Sequence, residues 1–178
     1  YLYRGVCGLD LAGDESSYPN ETFREYFQKA SREDVPVTIH SGECGRKENI
    51  ELAVEYGAVR IGHGIAMKGD ARLQEKIAAS GIGIEICPSS NLQTKAVAGW
   101  EDYPFREFLD RGVNLSVNTD NRTVTNTTMI KELKLLHGHF NLTPKEAVEL
   151  MKRSVDVSFA QESTKKAVKR QIDESDIA

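Results

Sequence analysis

Cysteine is scarce in this chain. Only Cys7, Cys44 and Cys87 occur in 178 residues, odd in number, far apart and without a CxxC pair. That spacing offers no disulfide framework, so a reduced, cytoplasmic compartment is expected, with the thiols mostly packed as core residues. Long uncharged apolar runs are missing too, so nothing reads as a bilayer span, and the opening residues do not read as a signal peptide. There is no linker, no low-complexity stretch and no long block of like charge. A net charge of −4 argues against non-specific binding to nucleic acid or to an anionic membrane. With 39% hydrophobic and 28% charged residues, the chain reads as one globular domain with a real core. An initial Met is also absent: the chain opens "YLYRGV" and is expected to enter a strand almost at once.

What the sequence does have is a rhythm. Short apolar runs stand at "GVCGLDL", "VPVTI", "AVRIG", "IGIEIC" and "GVNLSV". Each is near-continuous or β-branched, as a strand covered on both faces should be. Helical patterns lie between them. "NETFREYFQKA" has a candidate cap at Asn20 and apolar positions Phe23 and Phe27. "ENIELAVEYG", "GDARLQEKIAASG" and "YPFREFLDRG" stop on Gly57, Gly81 and Gly112, the usual residue just past a helix. The third of these four patterns starts at Asp70. After the last strand only helices follow, and "TPKEAVELMKRS" sets Thr143, Pro144 and Glu146 as a capping box with Pro at the first helical position.

Strands alternating with helices predict βα units and a parallel sheet. Two architectures compete, an open doubly wound sheet and a (β/α)8 barrel of the TIM type. The strands are followed by "DLAGDE", "HSGE", "GHGI", "CPSSN" and "NTDN", so every C-terminal end carries polar, reactive types. A doubly wound sheet gathers its site at one or two loops, whereas a barrel collects single residues from many strand ends. Five loaded ends favour the barrel. A closed barrel has eight strands and about 250 residues, so the whole chain, 1–178, is expected to be the C-terminal five βα units of one barrel domain, followed by helices. An apolar layer is expected inside the barrel.

Only four histidines are present. His40 and His63 each close a strand, which in a barrel places them across one mouth. Neutral imidazole and carboxylate are the ligands a hydrolytic Zn²⁺ takes. Asp120 closes the last strand in the same way, and Glu43 lies one short turn beyond His40. Taken singly, each has an ordinary reading as a structural His or a turn-forming Asp; the coincidence of several points to a site. His137 and His139 in "LLHGHF" are a weaker lead. "KELKLLHGHF" reads as a helix ending near Gly138, where i and i+2 diverge and His is welcome at a C-terminus. In "CPSSN" no second Cys follows, so the zinc motif of nucleobase deaminases is absent. Cys87 has no obvious base beside it and is expected to pack in the core.

Taken in order, "DLAGDE", "HSGE", "RIGHG", "CPSSN" and "NTDN" resemble the C-terminal half of the adenosine deaminase family, zinc-dependent purine deaminases of the amidohydrolase barrel superfamily. The resemblance covers nearly the whole chain, to about Phe159. It implies that His40 and Asp120 bind one Zn²⁺, that Glu43 handles the proton at purine N1, and that His63 orients and helps activate the attacking water. Asp120 would also accept a proton. Gly13, with Asp10 nearby, would contact the purine and ribose, and Asn121 stands where the family has a second Asp that touches N7. Ser41 replaces the family's Ala beside the metal histidine. Two further zinc ligands, a His-x-His on the first barrel strand, are implied upstream of Tyr1. The expected partner is a purine nucleoside, with no nucleic acid and no membrane. Chemically the assignment is coherent. A metal lowers the pKa of water toward about 7, attack at C6 requires N1 to gain a proton, and Glu43 supplies a carboxyl for that transfer. Rival readings are a sibling deaminase acting on adenine, AMP or a modified nucleoside, and a non-catalytic fragment used as a binding module.

Overall fold

The computed structural model describes residues 5–44 and 46–175. Five strands form: β1 (Leu9–Leu11), β2 (Val37–Ser41), β3 (Arg60–His63), β4 (Gly83–Ile86) and β5 (Asn114–Val117). They lie in the order β1-β2-β3-β4-β5, and every neighbouring pair is parallel. This is the expected run of consecutive βα units. The first strand, expected within "GVCGLDL", runs over Leu9–Leu11.

Register explains the two faces. Leu11, Ile39, Ile61, Ile84 and Leu115 are successive partners across the sheet. This row faces the helix layer, and Ile39, Ile61, Ile84 and Leu115 are fully buried. Burying such a side chain is worth about 1.5–3 kcal/mol each, so the row is a main source of stability. The helices that cover it are α1 (Arg24–Arg32), α2 (Lys47–Glu55), α3 (Ala71–Ser80), α5 (Phe105–Asp110), α7 (Met129–Phe140) and α8 (Pro144–Asp156). They contribute Phe27, Ile50, Ile77, Phe105, Leu136 and Leu150 to the same core. Two short helices, α4 (Pro88–Gln93) and α6 (Arg122–Thr125), follow β4 and β5, and α9 (Glu162–Asp173) closes the described chain.

The opposite face carries Asp10, Thr38, Arg60, His40, Glu85 and Ser116, again in register. The expected apolar interior is therefore corrected: this face is polar. Its lower part is held by an ion pair, Arg60 Nε to Glu85 Oε1 at 2.7 Å, with Thr38 Oγ1 donating to Glu85 Oε2 at 2.8 Å. Below it the link between α8 and α9 forms a floor. Arg60 donates to the carbonyl of Val157 and stacks over Phe159, 3.9 Å from the ring centroid. Gly83 leaves room for Val157, since a Cβ there would stand 2.9 Å from its methyls.

Helix ends follow the sequence closely. Asp70 accepts from the Leu73 amide as N-cap of α3, and Gly81, with φ 73°, ends that helix. Thr143 and Glu146 form the complete capping box of α8. Three expectations are corrected. Asn20 is no cap; it opens a short 3-10 turn, Asn20–Phe23, ahead of α1, and its side chain is buried in a bridge to Ser41. Helix α7 runs through Gly138 to Phe140 and ends on Asn141 in a left-handed conformation, φ 52°. Arg106 Nε donates to the Phe140 carbonyl at 2.8 Å and Phe140 packs on Phe105, which together outweigh one helical Gly. Of the cysteines only Cys87 is buried; Cys7 and Cys44 are exposed. Among the described residues no helix is long and apolar enough to cross a membrane.

Candidate active site

Asp10, His40, His63, Cys87 and Asp120 all line one cavity of about 320 Å³. This is the shared mouth expected from five loaded strand ends. A smaller hollow beside it, about 200 Å³, is lined by Gly13, Glu15, Tyr18, Phe23 and again His40. Gly13 has φ 137° and open space where a Cβ would be, so its bare backbone faces the hollow.

His40 points to the inner face of β2, opposite Gly62 of β3. A Cβ on Gly62 would stand 2.7 Å from His40 Cδ2; the glycine is what lets the ring lie flat across the neighbouring strand. By strand alternation His63 should point the other way, into the helix layer with Ile61. Its φ of 66° breaks the alternation and swings the ring into the mouth, edge-on to His40 with centroids 4.8 Å apart. A β-strand residue held in the left-handed region costs of order 1–3 kcal/mol and concentrates at functional positions. Asp120 is held the same way, with φ 53°.

His63 is nearly inaccessible to solvent. Its Nδ1 lies 2.9 Å from Asn91 Nδ2, and Tyr103 donates its hydroxyl to Asn91 Oδ1 at 3.3 Å. With that oxygen engaged, the Asn91 amide donates to Nδ1, which leaves the imidazole proton on Nε2. Nε2 faces Glu43 Oε2 at 3.5 Å. Burial lowers the pKa of His63, partly opposed by the Glu43 carboxylate, so the ring is held neutral. Glu43 also accepts from Thr94 Oγ1 at 3.0 Å.

Asp120 Oδ2 accepts from Ser90 Oγ and Oδ1 from the Asn121 amide, both at 2.6 Å. Partial burial pushes the Asp120 carboxyl up, but these bonds and the two nearby imidazoles outweigh it and hold the group below its ordinary value. It is a carboxylate at neutral pH. Asn121 does not line the cavity; its Oδ1 caps α6 by accepting from the Thr123 and Val124 amides. The turn after β2 uses Gly42 at φ 77°, where a Cβ would stand 2.5 Å from Ile50 Cδ1. Ser41 accepts a hydrogen bond from Asn20 at 2.6 Å. Cys87 is buried with its thiol pKa pushed up by desolvation, and it packs at the cavity wall.

The ligand atoms of His40, Glu43 and His63 lie within 4.8 Å of one another. Two imidazoles and a carboxylate suit a zinc ion by donor type, and this group could hold one. Asp120 shares the cavity but stands outside that close group. His137 and His139 take no part: His137 Nδ1 lies 2.8 Å from the Leu142 carbonyl and His139 stacks on Trp100 at 4.2 Å. Three residues at the site were not singled out from sequence: Glu15, Ser90 and Asn91. Each sits inside a strand-end motif, "DLAGDE" or "CPSSN", two to four places from Gly13 or Cys87, which draw the eye.

A protein-family model described as adenosine deaminase matches residues 1–175. The adenosine deaminase of Enterococcus faecalis is 39% identical over 171 residues, 96% of this chain and 51% of that protein. That of Haemophilus ducreyi is 40% identical over 164 residues, 92% and 48%. The chain thus spans about half the length of the curated relatives it matches. Among solved structures, the adenine deaminase of Arthrobacter aurescens superposes with a TM-score of 0.90 at 25% identity, covering 97% of this chain and 53% of that one. Arabidopsis ADAL complexed with IMP gives 0.86 at 27% identity, covering 95% and 49%. A zinc-bound amidohydrolase from Burkhoderia ambifaria gives 0.85 at 24% identity, covering 93% and 47%, and shares the fold. The five consecutive parallel strands are half of the barrel in these proteins, and the chain belongs to the adenosine deaminase family.

Proposed function

We propose that the chain is the C-terminal part of a single barrel domain whose full-length form deaminates adenosine and 2'-deoxyadenosine hydrolytically to the inosine product and ammonia. The observation that carries this reading is the convergence of His40, Glu43 and His63 beside Asp120 on one mouth. Water's oxygen bonds to purine C6, N1 gains a proton, the C6–N6 bond breaks and nitrogen leaves as ammonia. Glu43 delivers the N1 proton; its carboxyl sits between the Thr94 hydroxyl and the His63 ring, on the side where the substrate ring would lie. His63, fixed by Asn91, presents its Nε2–H toward the attacking oxygen. Asp120, held as a carboxylate by Ser90, takes one proton of the water and returns it to the leaving nitrogen, while the second re-protonates Glu43 as the C6 carbonyl forms. Asp10 on the cavity and the Gly13 backbone on the hollow beside it border the space where purine and ribose would lie. Asn121 enters this proposal only through its place next to Asp120, which its amide fixes.

His40 and Asp120 would hold one zinc ion, with two more ligands from a His-x-His on upstream βα units. Bound zinc supplies Lewis acidity that lowers the pKa of water toward about 7. The compartment that fits is the cytoplasm, where Cys7 and Cys44, both exposed, stay reduced.

A sibling purine deaminase is the second reading, favoured by the superposition on an adenine deaminase. The test is the full-length protein assayed with adenosine, adenine and AMP at matched concentrations. Adenosine is expected to give the highest kcat/KM. A preference for adenine or AMP would select the sibling reading, and no turnover with any of them would leave a binding module.

A further inference from the structure

The structure assigns a role to Glu15: we infer that it is the positioning residue that fixes the turn bearing Glu43. The inference rests on the proposed deaminase reading of the mouth. Glu15 is almost fully buried, at 5% exposure, which is rare for a carboxylate without a cation beside it. It is paired instead with amides. Its Oε1 accepts from the Gly42 backbone amide at 2.5 Å and from Asn49 Nδ2 at 2.9 Å, and its Oε2 accepts from the Glu43 backbone amide at 3.0 Å. No salt bridge is formed by Glu15 among the described residues, so three N–H donors carry the whole cost of burying that charge.

The donors are informative. Gly42 and Glu43 are consecutive residues of the tight turn that leaves β2 after His40. Both N–H groups point at one carboxylate, so the turn cannot rotate without stripping a buried anion of its partners. That constraint sets the direction in which the Glu43 side chain leaves the backbone. Glu15 is itself anchored. Asp14, the residue before it, accepts from Ser16 Oγ and backbone N and from Ser17 Oγ and backbone N, and the Ser16 hydroxyl first among these bonds holds its carboxyl down to about 2. The loop after β1 is thereby folded on itself and thrusts Glu15 across to the next strand end. A stable fold alone would not require a charge here; a neutral side chain packed against the turn would serve. The charge buys register between two successive strand ends, and the proton-transfer group sits on the one being held.

The test is a double-mutant cycle in the full-length protein. Glu15→Gln keeps the shape but replaces an acceptor with an NH2 that opposes one of the two backbone donors. It is expected to lower kcat about 100-fold, as loss of an aligned proton donor does, with KM changed less than about threefold and bound zinc unchanged. Glu15→Asp should recover only part of the rate, being too short to reach both amides. In the Glu43→Gln background, Glu15→Gln should lower the residual rate little further, because a residue that acts through Glu43 has nothing left to position. A fully additive second loss, or a wild-type kcat in Glu15→Gln, overturns the assignment while leaving the deaminase reading intact. A Glu43→Gln variant with undiminished kcat overturns both. If Glu15→Gln does not fold, Asn49→Ala, which frees the carboxylate from its side-chain anchor, replaces it in the same cycle with a smaller expected loss and the same non-additivity.

Discussion

The two ends of the sheet are built on opposite terms. At the C-terminal mouth, His63 and Asp120 sit at left-handed φ and carboxylates face imidazoles across open space. At the N-terminal floor the backbone is regular, Arg60 and Glu85 are paired, and Val157 and Phe159 pack into the room left by Gly83 and Gly8. Both ends use glycine in a strand, but for different guests. Gly62 yields space to a histidine ring and Gly83 to two valine methyls. The lesson is that one end spends stability on geometry and the other recovers it, and single substitutions should separate the two.

The largest expected effect comes from testing the 178-residue chain alone. Within it only His40 and Asp120 are proposed as zinc ligands, and among the described residues β1 and β5 are edge strands, which invites aggregation. No measurable deamination and less than one equivalent of zinc are expected; adding the upstream units proposed above should supply both. Robust turnover by this chain by itself would mean that the floor and mouth described here suffice.

Next in size, Glu43→Gln in the full-length protein should lower kcat by about 10²–10⁴-fold with zinc retained, while Asp120→Ala should lose zinc and activity together. Metal analysis of the two purified variants decides; equal metal loss would show the roles are wrongly divided.

The comparison itself is sharpened by Gly62→Ala against Gly83→Ala. Overpacking of either kind costs about 1–3 kcal/mol, but the first should displace His40 and reduce zinc content, whereas the second should lower the Tm and leave zinc and kcat unchanged. The same outcome in both variants would mean the ends are not independent.

The smallest effect lies at neither end. Arg106 pairs with Glu146 of the α8 capping box and reaches the carbonyls of Phe140 and Asn141. Arg106 first, then the Thr143 amide, lowers the Glu146 carboxyl to about 2. A carboxylate whose folded pKa is depressed stabilises fully above its unfolded value, about 4.3, and that contribution is lost as pH falls through the folded one. Glu146→Gln should therefore cost on the order of 1 kcal/mol at neutral pH after solvent screening. The cost should vanish toward pH 2, read from urea unfolding across that range.

Much of this was legible in the sequence for physical reasons. A β-branched run such as "IGIEI" and the Gly just past α2, α3 and α5 are local signals, and they located the strands and those stops. Strand-end His40, His63 and Asp120 were legible because parallel order carries every C-terminal end to one side. Asn20 was misread because a cap would use its amide oxygen while this bridge uses its amide nitrogen, and only the fold, by bringing Ser41 within 2.6 Å, decides which is engaged. Glu15 was passed over because its partners lie 27, 28 and 34 residues away. That His63 faces the mouth was expected from its place at a strand end, but how it does so was not legible, since alternation predicts the other face and a single φ of 66° reverses it.

The strand order has a kinetic consequence. Each ladder joins consecutive strands, so each closes one helix-bearing loop of similar length, and units can be added in the order in which they leave the ribosome. The bond from Arg60 to the Val157 carbonyl is different, spanning 97 residues. It can form only after β5 and α8 are in place. The floor contact is thus expected to form late, contributing little to the barrier to folding and more to the barrier to unfolding. Loosening it at Phe159 should hasten unfolding while leaving the rate of folding almost untouched.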